Sequence, residues 1–141
     1  MLKTKLLHPE ILAALGRNGH GSKLLIADGN YPFTTGVPEK AQKVFLNLAP
    51  GMVSVPDVLK VIKEMIPVES YLIMLPPDEA PQSIHDEFLD ILDKSTPVTK
   101  VKRFDFYNEA RSSDTFLVIA TGETRRFANI LITIGVIKKM D

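Results

Sequence analysis

The 141 residues suit one domain, since single cores typically run from ~100 to ~200 residues, and the 45% hydrophobic and 24% charged fractions are those of an ordinary soluble, globular protein. Seventeen Lys plus Arg against 17 Asp plus Glu leave no overall field to draw the chain toward nucleic acid or an anionic membrane, so a small neutral partner fits better. The absence of cysteine excludes disulfides, a thiolate nucleophile and Cys-based metal sites, and runs such as FLVIA and NILITIGVI fall well short of the ~20 residues of a membrane helix.

The opening MLKTKLLHPE lacks the long apolar stretch of a secretory signal, which makes cytoplasmic residence the default expectation. HPEILAALGRNG predicts a first helix, with Pro9 in its opening turn, Glu10 near the positive end of the dipole and Gly19 to stop it. KLLIAD (23–28) reads as a strand buried on both faces, hence central. The Gly- and Pro-rich segment 29–41 is a loop at its carboxyl side, where loops often carry function. QKVFLNL alternates like a half-buried strand before a turn at APGM. Ser54 then caps a helix, VPDVLKVIKEMI, that Pro67 ends.

SYLIML (70–75) is the next strand, and PPDEAPQ the loop after it. SIHDEFLDILDKS follows as a helix with an apolar stripe of Ile84, Phe88, Leu89, Ile91 and Leu92. A short strand PVTKVK, a short helix FDFYNEARSS and the strands TFLVIAT and NILITIGVI complete the chain. Strands alternating with helices predict a single-domain α/β fold with a largely parallel sheet flanked by helices.

No strong cofactor fingerprint appears. GRNGHG has the spacing of neither a Walker loop nor a dinucleotide-binding turn, and it precedes a strand where those motifs follow one. His8, His20 and His85 lie too far apart in sequence to suggest a metal site. TGETRR (121–126) follows a strand and is either a solvated turn or, with its amides and two arginines, an anion site.

Four residues are candidates for chemistry. His20, flanked by glycines, presents an imidazole able to give and take protons near neutrality, or is a surface turn histidine. Asp28 ends a buried strand, where α/β proteins place ligand-binding groups, or caps a turn. Asn129 opens the last strand with donors and an acceptor in fixed geometry, or caps a turn likewise. Arg103 binds a carboxylate or hydroxyls, or is simply solvated.

LGRNGHGSKLLIADGNYP, VKRFDFYNEA at 101–110 and TGETRRFANILITIGV at 121–136, in this order, make the chain resemble the ribose pyranase and fucose mutarotase family (RbsD/FucU-like) from end to end. RFxFY and TGE look more like the fucose mutarotase branch. The resemblance implies cofactor-free interconversion of monosaccharide anomers or ring forms. His20 would be the proton donor, Asp28 and Arg103 would bind the sugar, and Phe127, Ala128 and Asn129 would line the site. It also implies ring-shaped homo-oligomers, decamers built from pentamers, for which the apolar final run offers loose support that a strand inside the monomer would explain equally. A non-catalytic sugar-binding module of the same fold is the alternative.

Two residues depart from the family pattern: Phe127 stands where a tyrosine is typical, and Asn30 where fucose mutarotases tend to have histidine. Loss of the phenol removes a hydrogen-bonding group while keeping an aromatic face, a change of ~1–3 kcal/mol for a sugar hydroxyl left without its partner. Tyr31 and Tyr107 are candidates to replace it. Finally, eight extended steps from His20 to Asp28 would span ~26 Å, too far for one monosaccharide. Either the glycines fold His20 back, or His20 of one subunit faces Asp28 of a neighbour. The second is preferred, which places the site across a subunit interface.

Overall fold

A computed structural model describes residues 1–139. The helices are α1 (Pro9–Arg17), α2 (Val55–Ile62), α3 (Ser83–Ile91) and α4 (Arg103–Ala110), and the strands β1 (Lys23–Ala27), β2 (Gln42–Phe45), β3 (Val68–Leu75), β4 (Val98–Lys102), β5 (Thr115–Ala120) and β6 (Ile130–Ile134). The six strands form one sheet in the order β2-β5-β1-β6-β3-β4. Only β6 runs against the rest, so the sheet is mixed but largely parallel, as expected.

The reversal of β6 has a local cause. Parallel strands need a crossover of about a dozen residues or more, usually a helix. Residues 121–129 carry none, so the chain leaves β5, crosses the carboxyl end of β1 and re-enters the sheet at the same edge. That crossing brings Phe127, Ala128 and Asn129 over Asp28. The apolar final run is consequently buried inside the monomer, apart from Val136 and Ile137.

Alternation explains the unbroken apolar strands, because successive side chains of a strand point to opposite faces. Leu24 and Ile26 of β1 join a core with Ile11, Leu59 and Phe88 from α1, α2 and α3. Leu25 and Ala27 join a second core with Phe106 and Ala110 of α4 and with Tyr31, Val37 and Ala41 of the long loop. The central position predicted for β1 is the observed one.

Helix starts follow their local signals. Pro9 opens α1, and Ser54 caps α2 in a reciprocal box with Asp57. The ends differ from expectation. Asn18, not Gly19, ends α1, its amide side chain donating to the carbonyl of Ala14 at 2.8 Å. The α2 helix stops at Ile62, short of the run to Pro67, and α3 at Ile91. Leu89 lies outside the α3 stripe, on the exposed side, and His85 is buried in its place. No helix among the described residues is long and apolar enough to cross a membrane.

Candidate functional site

The carboxyl edge of the sheet gathers the ends of β1 and β3, the start of β6 and the start of α4 around a cavity of about 350 Å³. Ligands of α/β sheets bind at this edge. Asp28, Asn30, Tyr31, Met74, Arg103, Tyr107, Arg126, Phe127 and Asn129 line it.

Asp28 and Asn129, separated by 101 positions in sequence, form a buried reciprocal pair. The Asp28 amide donates to Asn129 Oδ1 at 2.8 Å, and Asn129 Nδ2 donates back to Asp28 Oδ2 at 3.1 Å. The same oxygen accepts from the Ala128 amide at 3.2 Å, and Oδ1 accepts from the Asn30 amide at 3.0 Å. Burial pushes the Asp28 carboxyl above its ordinary value, although the bonds from Asn30, Ala128 and Asn129 pull the other way. Both capping and site roles are therefore combined in these residues: the turn is fixed by the groups that face the cavity. Ala128 itself is fully buried and contributes its amide, not its side chain.

Phe127 takes a left-handed backbone (φ 59°), uncommon for a bulky residue and a typical store of local strain near functional sites. Three contacts hold the segment there. His85 Nε2–H on α3 donates to the Phe127 carbonyl at 3.0 Å, the Ala128 amide is tied to Asp28, and the preceding turn is anchored by Glu123. His85 was not singled out for a role by sequence; a polar residue inside an otherwise apolar helical stripe was the only signal. Its burial lowers its pKa, outweighing the carbonyl of Phe127, which favours the protonated ring.

The TGETRR turn is neither a free solvated turn nor an amide-lined anion site. Glu123, buried, accepts from Arg125 Nε and Nη2 at 3.0 Å each and from the Val55 amide at the start of α2 at 3.3 Å. Burial alone would raise the Glu123 carboxyl, but the bonds from Arg125 outweigh it and hold the group below the ordinary range. Arg125 also pairs with Glu87 of α3, so its charge is spent within the fold. Gly122 is required by close approach: a Cβ there would lie 2.3 Å from the Ala49 carbonyl oxygen. Arg126 alone turns to the cavity, its guanidinium carbon 5.2 Å from the Phe127 ring centroid.

Arg103 is the first residue of α4 rather than preceding it, and its Nε donates to the Tyr107 hydroxyl at 3.1 Å. Of the two candidate phenols, Tyr31 is committed elsewhere, donating to the Gly36 carbonyl at 2.7 Å. Tyr107 packs edge-on against Tyr31 with its hydroxyl beside Arg103. Both line the cavity, so Tyr107 is the phenol free to meet a ligand.

His20 stands apart. It lies in the turn between α1 and β1, exposed, with Nε2 2.9 Å from Glu69 Oε1 at the start of β3. Gly21 has positive φ (84°), but its amide donates to the Ile134 carbonyl, which keeps the turn at the amino end of β1. The five residues of β1 put roughly 17 Å between that end and Asp28. Folding back by the glycines is thereby excluded: within one chain His20 does not reach the cavity.

Comparison with known proteins agrees with this geometry. The sequence profile of the RbsD / FucU transport protein family matches residues 1–137. Human fucose mutarotase is 29% identical, with 94% of this chain and 90% of that protein aligned. D-ribose pyranase of Variovorax paradoxus is 32% identical over 96% of this chain and 98% of its own. Among solved structures, Bacillus subtilis RbsD complexed with D-ribose superposes with a TM-score of 0.84 at 26% identity, covering 97% and 99% of the two chains. Fucose mutarotase of Streptococcus pneumoniae in complex with L-fucose gives 0.78 at 28% identity, covering 96% and 99%. With Asp28, Asn129, Arg103 and Phe127 brought to one cavity in the fold of these proteins, the chain belongs to the RbsD/FucU family.

Proposed function

We propose that the protein is a cofactor-free isomerase that interconverts the anomers or ring forms of a monosaccharide of the fucose or ribose type. The convergence of Asp28, Asn129, Arg103 and Phe127 on one small cavity carries this reading. Ring opening removes a proton from the anomeric hydroxyl and delivers one to the ring oxygen as the bond between C1 and that oxygen breaks; rotation and reclosure give the other form. Asp28 and Asn129 present fixed acceptors and donors to the sugar hydroxyls, Arg103 adds a cation, and Phe127 offers an aromatic face.

His20 supplies the proton from a neighbouring subunit. Supporting this are its separation from Asp28 along β1 and its exposure, which leaves the imidazole accessible to a second chain. The Glu69 carboxylate orients the ring through Nε2. The same reading makes the protein a homo-oligomer, a decamer by resemblance to bacterial relatives, acting on free sugar in the cytoplasm. Relatives of both names are enzymes, which favours turnover over a binding-only module. They match at similar identity, so the lean toward fucose rests on RFxFY and TGE.

Saturation-transfer NMR between the α and β anomer signals tests the reading. Faster exchange is expected for fucose, ribose or a close relative, and His20→Ala should abolish it. Exchange left at the uncatalysed rate across a monosaccharide panel would overturn the proposal.

A further inference from the structure

Resting on the isomerase reading, a further property follows from the charge of the cavity. Two guanidinium groups, Arg103 and Arg126, line it against a single carboxylate, Asp28. Asp28 is occupied by the amides of Asn30 and Ala128 and by Asn129, and neither arginine has a carboxylate within ion-pair distance among the described residues. Arg103 spends only its Nε–H, on Tyr107, and Arg126 makes no hydrogen bond, only the stack on Phe127. The contrast with Arg125 next door, which is held by Glu123 and Glu87, shows how this fold neutralises an arginine when the charge is structural.

A neutral sugar would leave the surplus positive charge uncompensated. A sugar bearing an anionic group opposite its anomeric end would meet it with charge-assisted hydrogen bonds, for which the guanidinium fork is well shaped. We infer that the preferred substrate is an anionic monosaccharide, a sugar acid or a sugar phosphate, whose carboxylate or phosphate is received by Arg126 together with Arg103. The sugar ring then lies against Phe127, and the hydroxyls at the reacting end face Asp28 and Asn129. Arg126 is on this account a specificity-determining residue, and the anion expected in TGETRR belongs to the cavity and not to the turn's amides.

The test compares ligands that share a ring and differ at C6: D-galactose, D-galacturonate and D-galactose 6-phosphate, with the corresponding glucose series. Anomer exchange is measured by NMR, and binding by ligand line broadening. An anionic member should show a kcat/KM about ten- to a hundredfold above its neutral counterpart, the range expected of a hydrogen bond to a charged group. Arg126→Gln should shrink that ratio toward one, Arg126→Lys should restore part of it, and added salt should raise the anion's KM more than the neutral sugar's. Whether the carboxylate or the phosphate series shows the larger ratio identifies the anion.

Neutral sugars turned over as well as both anionic series, with a ratio unmoved by Arg126→Gln, would overturn the inference while leaving the isomerase reading intact. Binding of an anionic sugar that Arg126→Gln weakens, without exchange of any sugar, would support the inference and overturn the isomerase reading. Absence of binding and exchange in every series would overturn both.

Discussion

His85 and Phe127 illustrate how much of the cavity wall depends on single contacts. The imidazole fixes the carbonyl of a residue whose backbone is left-handed, so losing that donor should loosen the wall without touching a ligand. His85→Leu is expected to raise the sugar KM several-fold, and His85→Gln, which retains an N–H, should largely rescue it. The pH dependence has a definite sign. Burial depresses the folded pKa of His85 below the ordinary value of about 6.5, so the unfolded chain takes up the proton first as pH falls. Its contribution is complete above about pH 6.5 and is lost as pH drops through the folded value. Wild-type Tm should therefore fall more than that of His85→Gln between about pH 7.5 and 5 in parallel melts. Asp28, raised by burial, acts in the opposite sense but equally in both proteins.

Phe127 itself bears on rate. Its ring lines the cavity without a hydroxyl, so Phe127→Tyr returns a donor and acceptor where relatives have one. Exchange of neutral sugars should rise about tenfold in the NMR assay if a sugar hydroxyl is thereby partnered. An unchanged rate would mean that Tyr107 already fills this role.

Among the elements, α2 depends most visibly on a local signal. Ser54 accepts from the Asp57 amide and Asp57 returns a bond to the Ser54 amide, both at 3.2 Å, and the helix buries Val55, Val58, Leu59 and Ile62. Ser54→Ala should lower stability by about 1 kcal/mol in urea titration, with anomer exchange retained, since the cap faces away from the cavity residues. Such starts were legible because a cap or an N1 proline acts within one turn of the chain. Helix ends and the α3 stripe were less so. Leu89 fits helical spacing, yet α3 turns it outward and buries His85, because the partner of that face is the Phe127 carbonyl, supplied from 42 positions away.

At the scale of the molecule, the separation of His20 from Asp28 by the length of β1 makes assembly a condition of activity. His20→Ala and Asp28→Ala should each be inactive alone. After subunits are mixed by joint refolding, activity should return to about a quarter of wild type, since half the sites receive an intact His20 and half of those an intact Asp28. Two inactive proteins that stay inactive together would place the proton donor elsewhere.

The sequence by itself determined the run of elements, the central buried strand, the α/β class and the candidates Asp28, Asn129 and Arg103, because periodicity, caps and strand ends are properties of short stretches. Tertiary structure alone decided that β6 runs backward, that Asp28 and Asn129 bond to each other, that Arg125 is neutralised and Arg126 is not, and that His20 lies at the far edge of the sheet. Each of these depends on which distant segment the chain brings alongside, and no local pattern encodes that choice.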